Sequence, residues 1–125
     1  MDPKNMKFSK EHEWVLVEGN IATIGISDYA AGELGDIVYV ELPETGSEVV
    51  KMESFGTLEA VKAVSDIFSP VNGKVIEVNS NLNDQPELIN KDPFGEGWII
   101  KVEMSNNDDL NDLMTYDEYQ EFIGK

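Results

Sequence analysis

Short apolar runs alternate with polar residues, and glycine, proline or asparagine cuts each run off after a few positions. No other feature limits the fold of this chain as strongly. Residues 14–17 run into Glu18-Gly19-Asn20, a turn signal, and residues 21–26 follow with Ala22, Ile24 and Ile26 on one face. The pair predicts a β-hairpin. Ser27-Asp28 offers an N-cap to a short helix that ends before Gly35. In residues 36–42, Val38, Val40 and Leu42 alternate with Ile37, Tyr39 and Glu41 until Pro43 stops the strand. Further strands are expected at 55–58, 67–68, 74–78 and 97–102. Ser69-Pro70-Val71-Asn72-Gly73 predicts a turn in which Asn-Gly tolerates positive φ. Residues 79–93 read as a loop with at most one helical turn. Leu110, Leu113, Met114, Tyr119, Phe122 and Ile123 fall near helical spacing, which predicts a helix over 108–123, broken near Thr115.

Many short strands between Gly and Pro turns predict a mostly β fold, a sandwich or closed β-structure. A short internal helix and a C-terminal helix would accompany it. The 125 residues suit a single domain at 8–125, with 1–7 as an N-terminal extension.

Composition removes several function classes. The net charge is -16, and the basic residues are nine lysines without an arginine. Such a chain is repelled by phosphate backbones and by anionic membrane surfaces, so neither nucleic acid nor membrane is an expected partner. The charge favours a soluble monomer, or it steers the protein towards basic entrances of partner enzymes. Cysteine is absent and His12 is the single histidine, which leaves little for thiol chemistry, a catalytic triad or a metal centre. No apolar run approaches the roughly 20 residues that span a bilayer. The Met-led N-terminus lacks an apolar leader core, which fits a bacterial cytoplasm.

Lys62 stands in a nearly symmetric setting, with Ala60-Val61 before it and Ala63-Val64 after it. Small apolar neighbours leave the lysine stem as the projecting group. At a hairpin tip its amine would stand clear for a modifying enzyme. The plainer reading is a solvated strand lysine that guards a sheet edge.

Segments spread along the chain carry a resemblance. They include His12-Glu13-Trp14-Val15, Gly35-Asp36-Ile37-Val38-Tyr39-Val40-Glu41-Leu42-Pro43, Glu59-Ala60-Val61-Lys62-Ala63, Ser65-Asp66-Ile67, Ser69-Pro70-Val71-Asn72-Gly73 and Gly97-Trp98-Ile99-Ile100-Lys101. In order and spacing, from about Phe8 to Ile123, the chain resembles the H-protein family of the glycine cleavage system. The resemblance implies a lipoyl-domain-like β-sandwich, the barrel-sandwich hybrid. It also implies lipoic acid in amide linkage to Lys62. Val61 and Ala63 flank the lysine where biotin carriers usually place methionines, which favours lipoyl. Ala60 stands where the family usually has serine, and Glu11 where a serine is common.

By the same resemblance, Glu59 helps the attaching enzyme recognise the hairpin, and Glu13 and Asp66 line a cleft for the loaded arm. The alternative for Glu13 and Asp66 is surface charge or turn capping. The implied partners are a pyridoxal-phosphate glycine decarboxylase, a folate-dependent aminomethyltransferase, dihydrolipoyl dehydrogenase, and a lipoate ligase or lipoyltransferase. The chain would be a carrier rather than an enzyme. It would sit in the cytoplasm of a bacterium or the mitochondrial matrix of a eukaryote. His12 is expected to be structural or superficial, and Trp14, Trp98, Phe68 and Tyr39 to be core. Asp108-Asp109 and residues 118–121 read as a helix start and a solvated face, since no calcium-loop pattern is present. Two other functions compete: an H-like relay that donates lipoate to 2-oxoacid dehydrogenase acyltransferases, and an unmodified β binding or scaffold module.

Overall fold

The computed structural model describes residues 1–124. The alternating runs pair into two antiparallel sheets. Strands β1 (Lys7–Phe8), β2 (Glu13–Glu18) and β3 (Ile21–Ile26) start the larger one. It continues through β9 (Ile100–Met104) and β8 (Gly73–Val78) to β5 (Glu48–Val49), six strands in that spatial order. Strands β4 (Ile37–Glu41), β6 (Ser54–Ala60) and β7 (Val64–Phe68) form the smaller sheet, with β6 central. Val15, Ile24, Val75, Ile100 and Val102 of the large sheet share one buried core with Ile37, Val40, Leu58 and Ile67 of the small sheet. The expected mostly β, two-sheet architecture is the one observed.

A second cluster lies on the other side of the large sheet, built from Met6, Phe8, Trp14 and Tyr119. Trp14 and Val15, neighbours that point to opposite faces of β2, are therefore both buried. Trp14 faces Gly25 across the β2–β3 pair, where a Cβ would come within 2.6 Å of the indole. The expected domain start at residue 8 falls inside this packing. Lys7 pairs with Val15, and Met6 is buried, so the folded unit includes both.

Helix α1 (Asp28–Leu34) starts where the sequence placed it, with Ser27 Oγ accepting the Ala30 N–H at 3.1 Å. The C-terminal pattern is interrupted as expected. A 3-10 turn at Asn107–Leu110 precedes α4 (Tyr116–Phe122), and Thr115 and Glu118 close a capping box between them. The expected loop at 79–93 instead contains two single-turn helices, α2 (Asn81–Asp84) and α3 (Leu88–Lys91), which bury Leu82 and Ile89. In β4 the alternation fails. The register shifts between Ile37 and Tyr39, so Val38 and Tyr39 stand 53% and 52% exposed, and the expectation that Tyr39 is core is overturned.

The Asn72-Gly73 step is also not the positive-φ turn expected. The left-handed glycines are Gly19, Gly35, Gly46 and Gly124, whereas Gly73 is extended in β8. It is glycine because β9 comes too close: a Cβ there would lie 2.2 Å from the Glu103 carbonyl oxygen. Backbone cannot retreat cheaply from such a clash. Gly73→Ala should therefore lower unfolding free energy by roughly 1–3 kcal/mol, read as a reduced midpoint in urea denaturation at unchanged slope.

Candidate functional site

Strands β6 and β7 form a hairpin that closes tightly. The Ala60 N–H donates to the Ala63 carbonyl at 2.7 Å, leaving Val61 and Lys62 at the turn. Ala60 is buried beneath the tip, so the turn rests on the core. The Val61 N–H also donates to the Asp36 carbonyl at 3.2 Å, which ties the tip to the start of β4. That start is itself held: Asn90 Oδ1 accepts the Ile37 N–H at 2.9 Å, and Asn90 Nδ2 donates to the Gly35 carbonyl at 2.8 Å. Lys62 is exposed at this braced tip. The ion pairs among the described residues involve Lys51 with Asp112 and Lys101 with Glu77, not Lys62.

A cleft of about 290 Å³ opens beside the hairpin, walled by residues 11–13, one side of α1, and Leu58, Ser65, Asp66 and Phe68. Its charged lining is acidic: Glu11, Glu13, Glu33 and Asp66. Glu13 is 2% exposed. Its Oε1 accepts from Ser9 Oγ at 2.6 Å, and its Oε2 accepts the Phe68 N–H at 3.4 Å. No cation is paired with it among the described residues. Burial pushes its carboxyl up to about 8, with Glu11 adding to the rise and the Ser9 and Phe68 hydrogen bonds opposing it. At neutral pH Glu13 is mainly a carboxylic acid.

A second depression, next to the first, is lined by Val61, Lys62, Ala63 and residues 32–36. Glu33 and Leu34 border both. The two depressions thus adjoin at the end of α1, one beside Lys62 and the other containing Glu13. The linkage needs an acylable amine with room around it, and the buried end needs a carboxyl. The residues present fit a covalent acyl arm that carries a cation.

Of the expected site residues, Glu13 and Asp66 share the cleft, with Asp66 exposed on β7 opposite Thr57. Glu59 is exposed on β6 between Tyr39 and Val64, beside the tip and outside the cleft. Trp14 is core, as expected, with its indole N–H donating to the Pro93 carbonyl at 2.9 Å. Trp98 is half-buried beneath the Lys101 amine. Phe68, expected in the core, is half-buried and lines the cleft. His12, expected to be structural, hydrogen-bonds Tyr119 and also lines the cleft. Asp108-Asp109 fall in the first turn of the Asn107–Leu110 helix, the expected helix start, and the Asp109 carboxylate also accepts the Asn72 N–H at 2.8 Å. The sequence places Tyr119 on the C-terminal helix but does not foretell its contacts with His12 and Ser27, nor that of Ser9 with Glu13. The four-residue step from Ser9 to Glu13 was its only local trace.

The fold and the braced tip define a small β carrier domain. A family model described as Glycine cleavage H-protein matches residues 6–125, and the chain belongs to that family, whose role is that of lipoyl carrier in the glycine cleavage system. Among relatives, the glycine cleavage system H protein of Staphylococcus haemolyticus is 53% identical over 98% of both chains. That of Staphylococcus carnosus is 51% identical over 98% of both chains. A crystal structure of a glycine cleavage system H protein from Mycobacterium marinum superposes with a TM-score of 0.91 at 35% identity, covering 99% of this chain and 100% of that one.

The raised Glu13 carboxyl has a thermodynamic signature. Unfolded, it loses its proton above its ordinary value of 4.5, while the folded protein keeps the proton to about 8. Across that window the native state binds more protons, so stability falls as pH rises. Glu13→Gln cannot ionise. It should be more stable than wild type, by a margin that grows by up to about 1.4 kcal/mol per pH unit between pH 5 and 8. Urea denaturation of both proteins at three pH values measures this.

Proposed function

We propose that Lys62 carries a lipoyl group through an amide on its Nζ, and that Glu13 and Asp66 receive the loaded end of that arm. The observation that carries this reading is the exposed Lys62 tip, whose flanking depression adjoins, at Glu33 and Leu34, an acidic cleft with a buried carboxyl. Acylation removes the lysine charge and needs an activated donor, because a free lysine amine is largely protonated at neutral pH. The bound group would supply a sulfur to accept an aminomethyl unit and a disulfide to be reduced in doing so.

The chain's own residues hold the arm and shelter it. Lys62 fixes one end, so each delivery is intramolecular, with an effective concentration that reaches about the millimolar range. Glu13 gives up its proton to solvent when an ammonium enters, and the resulting ion pair replaces a neutral acid. Asp66 adds negative potential on the hairpin side. Leu34, Leu58 and Phe68 keep the inner wall apolar and limit access of water. Glu59, beside the tip, serves recognition by the lipoate ligase or lipoyltransferase.

In this role the protein is a carrier and performs no turnover of its own. Its partners are the pyridoxal-phosphate glycine decarboxylase, the folate-dependent aminomethyltransferase and dihydrolipoyl dehydrogenase. The relatives named above are staphylococcal, which fits work in a bacterial cytoplasm. Intact-mass spectrometry of protein purified from its native host should show one lipoyl increment, lost in Lys62→Arg, with peptide mapping placing it on residue 62. A wild-type protein left bare by the host's own ligase would sink the reading. Failure of lipoylated protein to accept methylamine from the decarboxylase would instead favour the lipoate-relay role.

A further inference from the structure

Behind the cleft wall three side chains far apart in sequence meet. Tyr119, on α4, places its hydroxyl 2.8 Å from His12 Nδ1 and 2.6 Å from Ser27 Oγ. Ser27 and Tyr119 are fully buried. The ring of Tyr119 stacks on Phe8, with centroids 4.5 Å apart and planes 8° from parallel. His12 sits in left-handed backbone, φ 73°, and its carbonyl accepts the Ser27 N–H at 2.9 Å.

The direction of the hydrogen bonds follows from counting protons. Ser27 Oγ already accepts the Ala30 N–H, which caps α1. Among the described residues the acceptor within reach of its own proton is the Tyr119 oxygen. A buried hydroxyl that does not donate loses a hydrogen bond with no water to replace it. Ser27 therefore donates to Tyr119. The Tyr119 proton then has His12 Nδ1 as its acceptor. An acceptor Nδ1 carries no hydrogen, so the neutral ring bears its hydrogen on Nε2.

We propose that Tyr119 is a positioning residue of the cleft: its hydroxyl locks His12 in the Nε2–H tautomer and pins the Ser27 cap of α1, so that neither ring nitrogen of this cleft-lining histidine is free to act as a base. Burial of His12, which lowers its affinity for a proton, acts in the same direction. This role rests on the carrier reading above, because it matters for a cationic amine held beside sulfur. Once a base takes the proton from such a nitrogen, the freed lone pair forms a C=N bond, and the C–S electron pair leaves on thiolate. With Nδ1 occupied and Nε2 protonated, His12 cannot be that base.

His12 is the single histidine of the chain, so uniformly 15N-labelled protein, without any arm attached, gives one pair of ring-nitrogen signals. At pH 7.5 the expected spectrum is an unprotonated Nδ1 and a protonated Nε2 in one dominant tautomer. Tyr119→Phe keeps the ring that stacks on Phe8 and removes the hydroxyl. Its Nδ1 and Nε2 signals should move towards each other as the tautomers mix. Cargo loaded on the variant should be lost several-fold faster than from wild type, with Lys62 acylated as efficiently. A protonated Nδ1 in the wild type, mixed tautomers in the wild type, or a Tyr119→Phe protein with both unchanged ring signals and unchanged cargo loss overturns the proposal. The wild-type spectrum decides the tautomer even if the variant folds poorly. It is also independent of whether Lys62 proves to be acylated, so failure of the carrier reading is seen separately, as an unmodified mass.

Discussion

The backbone bond from Ala60 to Ala63 decides where the exposed lysine of the hairpin stands. It confines the reversal of the chain to Val61 and Lys62, and Ala60, buried under the turn, prevents the tip from sagging into a longer and looser loop. A mobile loop would also expose a lysine, but it would cost an enzyme the entropy of ordering it on every encounter. Here the core of the small sheet bears that cost during folding. Val61 and Val64 remain 71% and 68% exposed beside the amine, side chains that a folded domain would rather bury. Their exposure belongs to the same arrangement, a tip held clear of the fold.

The cleft follows the opposite rule. Glu13 is withdrawn from water without a cation, which is costly for a carboxylate and tolerable for a carboxylic acid. Its proton acts as a placeholder. A neutral guest gains at most a hydrogen bond from the protonated acid. An ammonium gains a buried ion pair, which offsets the cost of ionising the buried acid. In the proposed role, the cost of burying Glu13 and the acidic lining of Glu11, Glu33 and Asp66 both favour a cationic guest over a neutral one.

The hairpins and α1 were readable because each obeys a local rule: period two between turn residues, or a serine before a helix. Residues 79–93 hold two helical turns, α2 and α3, where at most one is expected, because single turns are too short for a 3.6-residue period to register. Val38 and Tyr39 were misread because a bulge in β4 moves the pleat, and nothing in the alternation of 36–42 announces the extra residue. Glu13 was placed near a cleft by resemblance, but its depth was illegible. β2 is covered on both faces, by the small sheet at Val15 and by the Phe8–Tyr119 stack at Trp14, so alternation does not report burial there. Tyr119 and His12 lie 107 positions apart, and no local pattern links them.

One backbone reversal reconciles the exposed amine with the hidden acid. In a regular strand, His12 and Glu13 would point to opposite sides. The left-handed turn at His12 breaks that alternation, and both line the same cleft. A second left-handed residue, Gly35, φ 81°, ends α1 and sends the chain straight into Asp36, whose carbonyl holds Val61. Glu33 and Leu34, immediately before that bend, border both the Lys62 depression and the Glu13 cleft. The separation of the Lys62 depression from the Glu13 cleft is thus set by the last turn of a seven-residue helix, capped at its start by Ser27, whose hydroxyl meets that of Tyr119. Moving α1 would reshape both depressions at once, so the Tyr119 hydroxyl on the C-terminal helix is coupled through Ser27 to the surroundings of the hairpin tip.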